Sequence, residues 1–111
     1  MKDELKRYLE DVTHSIAMIE TFRAQATTFQ QYESNAMLKS AVQWQLSVIG
    51  EALNNALKME PALTITNARK VVDMRNKLIH GYDDVEDNVV WNVIVKHLPL
   101  LKEEIQQLLK S

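Results

Sequence analysis

Apolar residues recur at intervals of three and four along nearly the whole chain, and this period is what restricts the fold. Leu5, Leu9, Val12, Ile16 and Ile19 set one stripe, which the spacing carries on through Phe22, Ala26 and Phe29. A helix turning about 100° per residue gathers such positions on one face, whereas a strand would scatter them over both. The polar stretch QQYESN supplies the first turn, and Ser34 or Asn35 is suited to cap a second helix over roughly 35–59, which Pro61 ends. A third helix begins near Thr64 or Thr66, either a suitable N-cap, and runs to about Ile79, with Gly81 as its left-handed stop. After YDDVED, Asp87 or Asn88 caps a fourth helix, whose buried line is Val90, Ile94, Leu98, Leu101, Ile105 and Leu108. Pro99 predicts a kink there, because it lacks an N–H and crowds the carbonyl of Val95.

With only 2 Gly and 2 Pro among 111 residues, a turn-rich β architecture is excluded. Short connections between four helices make antiparallel neighbours, so the expected fold is all-α, an up-and-down four-helix bundle forming a single domain over residues 1–111. The second helix is unusual. Leu38, Val42, Ile49, Leu53 and Ala56 make one stripe, and Met37, Ala41, Trp44 and Val48 make another beside it. A bundle needs one stripe per helix, so the surplus predicts a homodimer that buries Trp44 and its neighbours.

Composition narrows the function. The absence of cysteine removes disulfides and thiolate metal sites. No apolar run approaches the roughly 20 residues needed to span a bilayer, and the charged start MKDELKRYLED is unlike a signal peptide, so the expected setting is cytoplasmic with no membrane partner. A net charge of −2 argues against a broad basic face for long nucleic acid, and confines any such contact to a few cationic groups.

One position breaks the apolar pattern. On the third helix Ala68, Val71, Val72, Leu78 and Ile79 mark the buried face, and Arg75 falls in the middle of it. A lone buried guanidinium costs several kcal/mol, so it needs a carboxylate from another helix or a cleft that admits an anion. Its planar, permanently charged fork suits a phosphate. His80 lies five residues on, about 140° round an ideal helix, while Asn76 and His80 share a face. Reach of the arginine, unwinding at Gly81 or a second subunit would each bring Arg75 and His80 together. Arginine and histidine together suit RNA cleavage through the 2′-hydroxyl. An imidazole can act as base or acid near neutrality, and a guanidinium can hold the charge of the phosphorane. This chemistry calls for no metal and no cofactor.

The longer string MRNKLIHGYDDVEDNVVW closely resembles the signature of the HepT-like branch of the HEPN superfamily, the toxin partners of minimal nucleotidyltransferases. VIGEAL, Val48 to Leu53, and the order of four helices match that branch as well. The resemblance implies a HEPN-like homodimer with motifs facing a shared cleft, and RNA as the substrate. It implies that Arg75 and His80 are the ribonuclease pair, with Asn76 as the polar residue that follows the arginine. It further implies that Tyr82 is the acceptor for adenylylation by a cognate nucleotidyltransferase antitoxin. Glu51 is a possible supporting residue, with an ion pair its expected role. The rival reading is a non-catalytic module that presents substrate or docks a nucleotidyltransferase. Among the remaining candidates, Asp83, Asp84, Glu86 and Asp87 favour the positive end of a helix more than a metal ion. His97 and Trp91 read as core, and His14 as solvated.

Overall fold

The computed structural model describes residues 1–80 and 85–110. The expected stop at Gly81 and the acids Asp83 and Asp84 lie outside those residues. Among the described residues every regular element is helical: α1 (Asp3–Arg23), a short α2 (Phe29–Glu33), α3 (Ala36–Met59), α4 (Ala68–Ile79), α5 (Asp87–Asn92), a π-helical turn (Val93–His97) and α6 (Leu98–Lys110). The last three run on without a break, so the long elements are the four that the sequence period predicts. The 24 residues of α3 span about 36 Å, nearly the 42 Å long axis of the molecule. It packs against both α1 and α4, and α6 packs on α1 and reaches the start of α4 through Glu104.

The core is built from the periodic residues. Leu9, Val12, Ile16 and Ile19 of α1 meet Val42, Ile49 and Leu53 of α3, and Leu98, Leu101 and Ile105 of α6 complete the layer. Leu46 of α3 is equally buried and joins the same stripe. The second stripe of α3 is only partly covered within the chain: Met37 is 85% exposed and Trp44 68%, while Ala41 and Val48 are half-buried.

The local departures have physical reasons. The stripe of α1 stops at Arg23, and Phe29 belongs instead to α2, where the Thr28 side chain accepts the Gln31 N–H as N-cap. Asn35 caps α3 by accepting the N–H of Leu38 at 3.0 Å. The N-cap of the fourth helical run is Glu86, with no side-chain cap, because Asp87 is drawn 3.1 Å from Lys39 Nζ at the start of α3. Trp91 is half-buried, with Arg23 5.3 Å from its ring centre and Tyr32 5.4 Å away. Tyr32 is buried in this corner, and that burial, reinforced by Asp87, pushes its phenol well above the ordinary range. The kink expected at Pro99 takes the form of the π turn just before it, in which Leu98 N–H bonds the Val93 carbonyl. Position 99 has no N–H to give the Val95 carbonyl, and the wider turn falls where that bond is missing.

The start of α4 also departs from expectation. Neither Thr64 nor Thr66 is its cap; the N-cap position is Asn67, and its side chain makes no cap bond. Glu104 of α6 does the capping from across the bundle. Its carboxylate accepts the N–H groups of Thr66 (2.7 Å) and Asn67 (3.3 Å) and the Asn67 amide (3.0 Å). The Asn67 oxygen then faces Nδ1 of the half-buried His97 at 3.3 Å, so the neutral ring carries its proton on Nδ1. Burial, with Lys70 and Lys96 nearby, lowers the His97 pKa and keeps it in that form. Burial pushes the Glu104 carboxyl upward, yet the four hydrogen-bonding contributions from Thr66 and Asn67 outweigh it and hold the group below its usual 4.5.

A carboxylate with a lowered pKa contributes stability that is fully present above the unfolded value and is lost as the pH falls through the folded one. Glu104→Ala should therefore destabilise the chain by about 0.5–2 kcal/mol near neutral pH, the usual cost of losing a helix cap. The difference from wild type in urea unfolding should shrink as the pH drops below 4.5. A difference that stayed constant across that window would contradict the charged cap.

Candidate active site

The arginine in the apolar stripe is accommodated by a glycine. A methyl group built on Gly50 of α3 would overlap Cβ of Arg75 and stand 2.7 Å from its Cγ and 3.4 Å from the Val71 carbonyl oxygen. The missing side chain is a notch through which the arginine stem crosses the α3–α4 contact. Val71, Val72 and Met74 of α4 are buried beside it. Ile79, expected on that buried face, is the last residue of α4 and is 52% exposed, where it lines the outer groove.

The Arg75 side chain is only 17% exposed and has two protein partners. Nη2 pairs with Oε2 of Glu51, the residue next to the notch. Nη1 donates to Oδ1 of Asn76 at 2.7 Å. Each terminal nitrogen carries two hydrogens, so one remains on each for a further acceptor. Glu51 is about half exposed, so the pair sits at the edge of the core and an incoming anion can compete with the carboxylate. Beside it runs a groove of about 380 Å³, lined by Tyr8, Asp11, Trp44, Val48, Glu51, Arg75 and Ile79 among others. The surplus stripe of α3 thus leads directly to the guanidinium.

His80 is placed differently. It is the exposed C-cap residue of α4, with its N–H bonded to the Asn76 carbonyl at 3.2 Å. It does not line the Arg75 groove. Asn76 lies between the two positions: its side chain holds Arg75, and its backbone carbonyl holds the turn that ends at His80. One chain therefore brings Arg75, Asn76 and Glu51 together, and sets His80 one turn beyond Asn76, away from the face that carries Arg75. Tyr82 lies outside the described residues. Glu86 and Asp87 sit at the start of α5, where Asp87 pairs with Lys39 and favours the positive helix end.

Gly50, Tyr8 and Asp11 are not among the residues that the sequence singles out. A glycine inside a long helix was the available signal for the first, since it costs about 1 kcal/mol against alanine and needs a packing reason. Nothing in the period marks Tyr8 or Asp11.

The geometry is thus a helical bundle whose third long helix ends in a little-exposed arginine paired with Glu51 and Asn76, followed by an exposed histidine. A family model described as Ribonuclease HepT-like matches residues 12–108. The probable ribonuclease HepT of Thermococcus cleftensis is 32% identical over 114 residues, covering 99% of this chain and 100% of that protein. A candidate RNase of Caldanaerobacter subterraneus subsp. tengcongensis is 27% identical, covering 94% and 93%. A protein of Methanocaldococcus jannaschii, named as both a gamma-glutamylcyclotransferase and a candidate RNase, is 31% identical over the whole of this chain but only 50% of its own length. No solved structure matches the chain significantly. The chain belongs to the HepT-like ribonuclease family.

The notch carries its own prediction. Gly50→Ala should gain about 1 kcal/mol of helix propensity but lose about 1–3 kcal/mol to overpacking, because the clash is with Cβ of a helix-bound residue rather than with a flexible tip. The net expectation is a lower urea midpoint with an unchanged slope. A variant more stable than wild type would show that α4 yields freely and that the notch is not required.

Proposed function

We propose that this protein is an endoribonuclease that cleaves RNA through the 2′-hydroxyl without a divalent ion. The observation that carries the reading is the Arg75 fork, held by Glu51 and Asn76 at the edge of a groove, one helical turn from an exposed histidine. His80 serves as general base or acid, Arg75 holds the scissile phosphate and the charge that develops on it, and Asn76 orients the fork. Glu51 keeps the guanidinium extended until a phosphate competes for it. The product is a 2′,3′-cyclic phosphate.

Within this reading the protein acts as a homodimer. Trp44 and Ile79, both exposed, line the groove that contains Arg75, and the exposed Met37 continues the same stripe of α3. Association through that face would give one chain's arginine a route to its partner's histidine, which a single chain holds on another face. The biological role we propose is the toxin of a pair with a minimal nucleotidyltransferase antitoxin, in the cytoplasm. The resemblance of HGYDD to the family signature supports adenylylation at Tyr82 as the means of neutralisation, since a phosphodiester attached there would compete for the anion site. Among the described residues no helix is long and apolar enough to cross a membrane.

The test is cleavage of a labelled RNA in EDTA. Wild type should cut and leave cyclic phosphate ends, and His80→Ala should be slower by about 10²–10⁴. Undiminished cleavage by His80→Ala would remove the assigned role. Trp44→Glu should yield monomers in sedimentation with reduced cleavage, and a fully active monomer would end the two-chain site. Tyr82→Phe should retain cleavage yet take up no AMP from a cognate minimal nucleotidyltransferase supplied with ATP, and equal incorporation would exclude Tyr82 as the acceptor.

A further inference from the structure

A second groove runs along the other side of α4, between it and the start of α5. The sequence of α4 carries four Lys or Arg residues against one acid, in a chain whose net charge is −2, so positive charge is concentrated on this helix. Arg75 is turned into the α3 contact, but Arg69, Lys70 and Lys77 are exposed and line this groove. Its floor is apolar: Met74 is buried, and Val85 and Val89 face it from the start of α5.

The direction of the cations is informative. On an ideal helix Arg69, Lys77 and His80 fall within about 80° of arc, so the cationic stripe and the histidine share one face. From Arg69 to His80 the rise is about 16 Å, the reach of a short run of nucleotides. Two acids are present and must be weighed. Asp73 stands 3.9 Å from Arg69, with side chains 59% and 74% exposed, a pair worth little in solvent and readily exchanged for a phosphate. Glu86 stands on the α5 rim. Arg69, Lys70 and Lys77 against Asp73 and Glu86 still leave the lining with a positive balance.

We propose that this groove is an extended subsite for single-stranded RNA: Arg69, Lys70 and Lys77 hold phosphates flanking the scissile bond, and the Met74–Val85–Val89 floor receives unstacked bases. The proposal rests on the ribonuclease reading for its direction toward His80, but its cations and floor are independent of the catalytic chemistry. Single-stranded RNA fits better than duplex, because splayed bases can meet an apolar floor while a duplex presents only its backbone and groove edges. It also makes the basic contact local, as the net charge requires.

The experiment compares Arg69→Ala/Lys70→Ala/Lys77→Ala, and Lys77→Ala alone, with their parent. Binding of a fluorescent single-stranded oligoribonucleotide is measured in a His80→Ala background across a salt series, and cleavage of the same oligomer and of a dinucleotide is measured with His80 present. The triple variant should bind the oligomer at least about tenfold more weakly. Its slope of log K against log salt should be shallower by about two, since each single-strand phosphate contact contributes about 0.7. Lys77→Ala should lose about one-third of that slope. Oligomer kcat/KM should fall through KM, with dinucleotide cleavage unchanged. Wild-type affinity and slope in the triple variant would overturn the subsite while leaving His80-dependent cleavage intact. Loss of slope in a protein that cuts no RNA would retain the groove and reject the ribonuclease. Polyglutamate bound with the same affinity and the same response to the substitutions would reject RNA as the occupant.

Discussion

The contact between Gly50 and Arg75 is the constraint that fixes the rest of the site. Two helices approach so closely there that no side chain fits on α3, and the stem of a charged residue on α4 fills the space instead. The hydrophobic core is built around this contact, with Val71 and Val72 of α4 and Ile49 and Leu53 of α3 all buried. The arginine therefore occupies a position that packing alone would give to an apolar residue, and its methylenes do the packing while its head is carried to the edge of the core.

The consequence is electrostatic. A guanidinium so little exposed must be satisfied, and the chain satisfies it with groups that also aim it: Glu51, beside the notch, and Asn76, its own neighbour. Neither partner is deeply enclosed, so the pair can exchange one anion for another at a modest cost, unlike an ion pair in a dry interior. The other end of α4 is also held by a residue from elsewhere in the bundle. The helix supplies no side-chain cap of its own, and Glu104 reaches from α6 to take the N–H groups of Thr66 and Asn67 just before its first turn. A twelve-residue helix is thus fixed by a carboxylate at its start and packed through an arginine near its end, which is what gives the Arg75–His80 turn a defined place.

Much of this was legible in the residues. The spacing of Leu5 to Ile19, of Leu38 to Ala56 and of Val90 to Ile105 carries the helices and their buried faces, because burial on a helix has only one period to obey. Arg75 announced itself by interrupting such a pattern. The cross-helix capping of Glu104 was not legible, since a cap contributed from 37 residues away leaves no local signature. Thr64 and Thr66 were better caps by type, but the helix starts after Asn67, and the N–H groups of Thr66 and Asn67 are taken by a carboxylate from α6. The fate of Ile79 was equally hidden: periodicity assigns a face, but only the packed bundle shows where that face runs out. The separation of His80 from the Arg75 groove follows from five residues on a helix, and the sequence stated the problem without choosing among its solutions.

If the site works as proposed, Arg75 acts on a phosphate through its fork and not merely through its charge. Single-turnover cleavage by Arg75→Lys, in EDTA and at saturating protein, separates the two. Lysine keeps the stem over Gly50 and a positive charge near Glu51, so the helical spectrum and thermal transition should stay close to wild type. The rate should fall by about 10²–10³, the usual loss when a positioned donor to a developing oxyanion is removed. A folded Arg75→Lys protein that cleaves at the wild-type rate would contradict this role for the guanidinium.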